Sequence, residues 1–208
     1  MGQLCIYLTP FASDYSGVCS VLFDLDCMTA INDASCCTSH YVFYDEPCWS
    51  GRVRPLFSTA LRNIDAILGN DEKIVANICK AASSIDTEML AVVGTPVPAI
   101  IGMDTEGIAS EIEFRTGKPC FGFNSSGFHY YDMGIVQAGK ALIDRFAEPA
   151  EPVQGRVNIV GMTPLDFGAN GNSEDFAALL EGARLEKWAR ICLWALRLRC
   201  CASARRQK

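Results

Sequence analysis

The sequence has little histidine, no long apolar run and no C-x-x-C pair, and each shortage excludes a class of protein. Only two histidines occur in the 208 residues, and His40 alone lies near a cysteine-rich segment, so no closed zinc motif is present. No apolar stretch approaches the roughly 20 residues that span a bilayer. The first residues lack a basic leader followed by an apolar core, so we expect no secretory signal, no membrane partner and a cytoplasmic location.

Several catalytic motifs are also absent. The chain contains no Gly-x-Gly-x-x-Gly fingerprint and no Walker-type lysine, so nucleotide binding is not expected. It has no Gly-x-Ser-x-Gly elbow either, which argues against a serine hydrolase.

Basic residues are scarce over most of the chain. Residues 1–183 carry 10 Lys and Arg against 23 Asp and Glu, hence −13, whereas residues 184–208 carry eight basic residues and one acid, hence +7. Because nucleic-acid binding needs a basic face, the acidic body predicts no nucleic-acid partner.

Cysteine, in contrast, is abundant, with 11 residues. Without export these thiols should stay reduced, so a disulfide framework is not predicted. Four cysteines lie in apolar patterns typical of a core: Cys5, Cys27, Cys79 and Cys120. Four others lie among Gly, Ser, Asp and Pro, where loops are expected, and are the candidates for chemistry: Cys19, Cys36, Cys37 and Cys48.

The segment from Leu90 to Gly134 determines the predicted fold. A short apolar run meets a Gly/Pro-rich bend, then a helical pattern at Ile108 and Ile112, then a second apolar run. Because parallel strands need such a crossover, we predict an α/β, Rossmann-like three-layer domain with a mainly parallel sheet. Open sheets of this kind bind ligands at the carboxyl ends of their strands.

Apolar periodicity predicts the other elements. Helices are expected at 16–25, 55–67, 72–82, 132–146 and 174–181, and strands at 4–8, 28–31, 121–123 and 157–160. The Pro-punctuated segment 147–156 marks a boundary. We therefore predict a domain at 1–147, a linker with the first strand and helix of a second, truncated domain at 148–183, and an atypical basic tail at 184–208. That tail fits either a basic amphipathic helix or a non-native extension, and we favour the second.

The cysteine-rich segments suggest, without establishing, a metal site. Cys19 follows Gly17 at a predicted helix entry, and Cys36 and Cys37 follow a predicted strand. Positive helix ends favour thiolates, and thiolates suit iron–sulfur clusters or zinc. Asp33 is a possible oxygen ligand, although a turn-forming Asp is the more common role.

The order of these segments resembles nitrogenase component 1 and its relatives, which include protochlorophyllide reductase subunits and oxidoreductases of anaerobes. The marks of the resemblance, over about residues 15–183, are Cys19, the strand and cysteine loop 29–37, ILGNDEKI, VVGTPVPAIIGMDTEGIASEI, GKPCFGFNSSGF and VNIVG. The resemblance implies an iron–sulfur cluster between two similar subunits, with a separate ATP-hydrolysing iron protein as electron donor. It matches Cys19 to the first cluster cysteine and Cys36 to the second, with Cys37 as an alternative.

Two departures from the family change what is expected. The third family cysteine falls at Pro96, which cannot bind metal, so a homodimer or a pair with a paralogous subunit would supply Cys19 and Cys36 from each chain to a [4Fe–4S] cluster. The chain also lacks the family's further domains. We therefore expect an electron-transferring oxidoreductase subunit, incomplete by itself. The alternatives are a metallocluster or tetrapyrrole assembly scaffold and an inactive fragment.

Overall fold

A computed structural model defines the fold of most of the chain. It describes residues 12–23, 25–34, 37–39, 55–147, 156–163, 172–183 and 186–191. The predicted strand at 4–8 and the cysteines Cys5, Cys36 and Cys48 lie outside these residues.

Helices and strands alternate along the described chain. The helices are α1 (Asp14–Leu22), α2 (Asn63–Leu68), α3 (Asp71–Ser84), α4 (Pro96–Ile101), α5 (Thr105–Thr116), α6 (Tyr131–Phe146) and α7 (Asn172–Gly182). The strands are β1 (Cys27–Ile31), β2 (Leu56–Ser58), β3 (Met89–Val93), β4 (Cys120–Phe123), β5 (Arg156–Val160) and β6 (Glu186–Ile191).

Four strands form one parallel sheet in the order β2-β1-β3-β4. All five residues of β1 and of β3 are buried, as expected for central strands covered on both faces. The predicted α/β fold with a parallel sheet is therefore confirmed.

Helices cover both faces of this sheet. Alternate side chains of β1 point to opposite sides, so that Ile31 packs with α1 and α6 while Met28 packs with α3 and α5. The result is a three-layer domain with one apolar core on each face of the sheet.

Helices α1 and α6 approach each other closely through two glycines. A Cβ atom on Gly17 would overlap the Tyr131 carbonyl oxygen, and one on Gly134 would overlap the Asp14 carbonyl oxygen. Only residues without a Cβ fit this crossing, and the contact fixes the start of α1 beside the start of α6.

One element was predicted incorrectly. The apolar spacing predicted a helix over 55–67, but Leu56–Ser58 form edge strand β2, which pairs with β1. Ala60 then has a left-handed φ of 51°, which interrupts any helix, and α2 begins only at Asn63. The sequence pattern could not reveal the partner strand that selects the extended form.

The C-terminal region adds a second parallel pair. Strand β6 pairs with β5, although residues 186–191 were assigned from sequence to the basic tail. Among the residues described, no helix combines the length and apolar character needed to cross a membrane.

Candidate functional site

Cys19 lies inside a helix. The composition around this thiol suggested a loop, although the helix predicted at 16–25 already included it. Helix α1, Asp14–Leu22, contains Cys19. The side chain is 4 % exposed and belongs to the core cluster between the sheet, α1 and α6. The loop expectation was wrong because Ser13 is the N-cap and Asp14 the first helical residue, so that Gly17 lies within α1 and not before it.

Cys37 is more accessible. It lies in a helical turn at 37–39, after the carboxyl end of β1, and its side chain is half-buried against the same core cluster as Cys19. Its neighbour Cys36 lies outside the described residues. Of the two candidates in that loop, the structure places Cys37 only.

Tyr15 lies near both thiols. Its hydroxyl is close to the side chains of Ser13 and Cys37, and Cys19 is near enough to act on it electrostatically. Burial, followed by smaller effects of these thiols, raises the pKa of Tyr15 to about 12. We call Ser13, Tyr15, Cys19 and Cys37 the Tyr15 cluster. It joins two segments that are separated by a strand in the sequence.

Asp33 holds the turn that carries Cys37. Its buried carboxylate accepts hydrogen bonds from the Thr38 backbone N–H at 2.8 Å, from Thr38 Oγ1 at 3.0 Å and from Ser58 Oγ at 2.5 Å. Both oxygens are therefore occupied by protein donors. This arrangement favours the turn-stabilising role of Asp33 over the metal ligand that its sequence position also allowed.

Asp14 holds the loop after β4 against the start of α1. Its carboxylate accepts hydrogen bonds from the backbone N–H groups of Ser126 at 3.0 Å and Gly127 at 2.6 Å. These N–H groups belong to the NSSG loop after β4. Because Asp14 already supplies the anion, the loop serves to fix the position of α1. His129, which follows this loop, is exposed.

Pro96 borders the Tyr15 cluster. It is at the first turn of α4, directly after β3, where the family resemblance places a cysteine. A Cβ atom on Gly127 would lie 2.5 Å from Pro96 Cγ and 3.3 Å from Tyr15 Cε1. The proline ring, Gly127 and the Tyr15 ring therefore lie next to one another.

The other described cysteines are packing residues. Burial raises the pKa of Cys27 to about 12 and raises the pKa of Cys79 and Cys120 as well. They contact the two apolar core clusters, and they remain neutral thiols near pH 7, a form that does not bind metal. The core role predicted for these three is confirmed.

The donor set limits what the described residues can bind. Across the described part of the chain, no three His, Cys, Asp or Glu side chains converge on one point where a metal ion would fit. Cys19 and Cys37 are two sulfur donors, and an iron–sulfur cluster takes four. Thiols are the type of ligand that such a cluster uses. The remaining ligands would have to come from Cys36 or from another subunit.

Three residues of the site were not recognised from sequence: Ser13, Asp14 and Tyr15. Ser13-Asp14 is a typical helix start and could have located both the start of α1 and the buried carboxylate. Tyr15 carries no such signal, because its contact with Cys37 depends on how α1 packs on the sheet.

The fold and the site define a Rossmann-like α/β protein with neighbouring thiols near the carboxyl edge of a parallel sheet. The family model for nitrogenase component 1 type oxidoreductases matches residues 14–206. The chain belongs to this family.

Curated relatives and solved structures agree with this assignment. The chain is 32% identical to the nitrogenase iron-molybdenum cofactor biosynthesis protein NifE of Sinorhizobium fredii (strain NBRC 101917 / NGR234), over 67% of this chain and 28% of that protein. It is 30% identical to NifE of Bradyrhizobium diazoefficiens, over 48% of this chain and 18% of the relative. A structure of nitrogenase Cp1 at pH 5 superposes with a TM-score of 0.64 at 17% identity, covering 88% of this chain and 39% of that one. The chain thus spans less than a third of the curated relatives it matches.

Proposed function

We propose that this chain is the cluster-binding part of an oxidoreductase subunit, in which Cys19, Cys36 and Cys37 supply sulfur ligands to an iron–sulfur cluster that passes electrons across a subunit interface. The observation that supports the proposal is the Tyr15 cluster, where Cys19 of α1 and Cys37 of the turn after β1 pack against one core cluster near the Tyr15 hydroxyl. Thiolates near the carboxyl ends of parallel strands suit a soft metal cluster at a ligand-binding edge.

In this proposal a second subunit supplies the remaining sulfur ligands of the cluster. Two thiolates from each of two chains give the four ligands of a [4Fe–4S] cluster, and the partner is a second copy or a paralogous subunit. Exposed apolar side chains next to the site support an interface there: Val97 (40 %), Ile100 (73 %), Phe128 (54 %) and Tyr130 (72 %). Such patches commonly mark protein–protein contacts.

The family resemblance also suggests an electron donor and a compartment. A separate ATP-hydrolysing iron protein would reduce the cluster. Because reduced thiols are needed to hold iron, the protein is expected to work in the cytoplasm.

A second candidate function is metallocluster assembly. The curated relatives are cofactor biosynthesis proteins, and in this role the same cysteines would hold a cluster precursor without turnover. Proline has no side-chain atom that can bind metal. Pro96 therefore supports a cluster held by fewer protein ligands than the family's larger cluster.

Cluster binding is tested with anaerobically purified protein after iron and sulfide reconstitution. We expect a broad absorbance at about 400 nm from thiolate-to-iron charge transfer. Cys37→Ala should lose most of this band, as should Cys19→Ala or Cys36→Ala. Cys79→Ala is the matched control, since that half-buried thiol belongs to the opposite face of the sheet, and it should keep the band.

The result also separates the candidate functions. Bleaching of the band only with a reductase component and ATP supports electron transfer. Release of the cluster to an acceptor protein, without bleaching, supports assembly. A colourless, iron-free protein contradicts both and leaves the inactive fragment.

A further inference from the structure

Helix α6 carries an exposed apolar row on the side away from the sheet. Its inner face packs against α1 and the sheet through Ala138 and Leu142. The opposite face carries Met133, Val136 and Ile143, whose exposed fractions are 54 %, 62 % and 39 %. Residues at this spacing lie on one side of a helix. Apolar side chains grouped in this way on a surface commonly mark a contact with another protein.

Two charged side chains flank the centre of this row. Asp132 precedes Val136 by four residues and Lys140 follows it by four, so each lies about 6 Å from Val136 along the helix axis. Both side chains are exposed, and neither takes part in the ion pairs of the described residues. An acid and a base therefore lie at equal distances on the two sides of Val136.

This arrangement is complementary to a second copy of itself. When two α6 helices lie antiparallel with their Val136 side chains next to each other, Lys140 of one copy lies beside Asp132 of the other, and symmetry repeats the pair. These three residues form an i±4 ridge, and such ridges of two helices run alongside each other at a crossing angle of about −50°. A parallel pair would bring like charges together. The row thus supplies the charges that its own partner needs, which favours a second copy over an unrelated protein.

Gly139 leaves space for this approach. It lies four residues before Ile143, in the row next to the ridge, and an added Cβ would find open space there. Because glycine has no side chain, the groove between the two rows is wide enough to admit the ridge of a second helix.

We propose that the chain forms a symmetric dimer through antiparallel α6 helices, with Val136 at the two-fold axis and an Asp132–Lys140 ion pair on each side. The inference goes beyond the proposed function, because this contact requires no cluster and uses a helix face that holds no cysteine. One helix pair buries less than the roughly 1,200 Å² of a stable interface. The dimer should therefore dissociate on dilution, with a dissociation constant on the order of 100 μM.

Sedimentation equilibrium of the reduced, metal-free full chain tests the dimer. The salt concentration is about 0.15 M, which screens the general repulsion between two acidic chains beyond about 8 Å. We expect a reversible monomer–dimer equilibrium. Asp132→Lys or Lys140→Glu alone brings like charges together twice in each dimer, so each should weaken self-association by about tenfold or more.

An equimolar mixture of these two variants tests the two-fold arrangement. In a mixed dimer both contacts again join opposite charges, so the mixture should associate to within about threefold of the unaltered chain, although neither variant does so alone. Circular dichroism verifies that both variants fold, since each changes an exposed side chain.

Two further variants complete the experiment. Gly139→Leu fills the groove that the second helix would enter, and it should also prevent self-association. Phe114→Ser is the control, because Phe114 is 84 % exposed on α5, which packs on the opposite face of the sheet. This variant should associate as the unaltered chain does.

The outcomes decide the inference separately from the proposed function. Restored association in the mixture supports the α6 dimer, whether or not the protein binds iron. A chain that stays monomeric up to about 500 μM, a mixture that does not associate, or a dimer that Gly139→Leu leaves unchanged would overturn it. None of these results affects the absorbance test of the proposed cluster.

Discussion

At the scale of single residues, two buried carboxylates organise the candidate site. Asp14 is 3 % exposed and binds the loop after β4, while Asp33 is 1 % exposed and binds the turn of Cys37. Each is surrounded by donors, as buried polar groups usually are. The cysteine positions were visible in the sequence, but the partners of these carboxylates depend on segments up to 113 residues away.

Replacing Asp14 should destabilise the domain. Asp14→Ala leaves the backbone N–H groups of Ser126 and Gly127 without their acceptor, and we expect the free energy of unfolding to fall by about 2 to 4 kcal/mol. Urea denaturation measures the change.

The control is Asp104→Ala, which removes a carboxylate that caps the exposed start of α5 through Gly107 N–H at 2.9 Å. A lost cap costs about 1 kcal/mol. If both variants lose the same free energy of unfolding, the Asp14 contacts contribute no more stability than an exposed helix cap.

At the scale of elements, the crossing of α1 and α6 decides where Tyr15 and Cys19 lie. The two helices touch backbone to backbone at Gly17 and Gly134. Helical periodicity in the sequence predicted both helices to within two or three residues at most of their ends, because their apolar faces repeat regularly. It did not predict the crossing, because a glycine in a helix gives no sign of what it contacts.

Alanine substitution of two glycines in the same helix should change the free energy of unfolding in opposite directions. Gly134→Ala introduces a methyl group into the Asp14 carbonyl, and we expect the free energy of unfolding to fall by about 2 to 4 kcal/mol. Gly139, also in α6, has open space around its Cα, so Gly139→Ala should raise it by up to about 1 kcal/mol through helix propensity.

Chemical denaturation of both variants under the same conditions checks this pair. If both alanines stabilise the protein, helix propensity alone governs α6, and the close approach to α1 is not present in solution.

At the scale of the whole molecule, buried thiols couple stability to pH. Burial raises the pKa of Cys27 from 9.0 to about 12, so the folded state keeps a proton that the unfolded state loses above about pH 9. The free energy of unfolding should therefore be independent of this group below pH 9 and fall as pH rises towards 12.

Thermal or urea unfolding between about pH 8 and 11 measures this dependence. Above about pH 9, Cys27 alone should lower the free energy of unfolding by roughly 1 kcal/mol for each further pH unit. Cys27→Ala should remove this part of the slope, while Cys37→Ala should leave it unchanged. An unaltered slope in Cys27→Ala would show that other groups control alkaline unfolding.

The sequence by itself determined the alternation of helices and strands, the parallel sheet and the core role of Cys27, Cys79 and Cys120, because apolar periodicity is a local property. Tertiary structure alone decided that Leu56–Ser58 extend along β1. It also decided that Tyr15 joins Cys37 to the neighbourhood of Cys19. The separation of these segments in the sequence does not reveal their distance in the folded protein. Only the packing of α1 and the edge strand on the sheet could therefore establish these contacts.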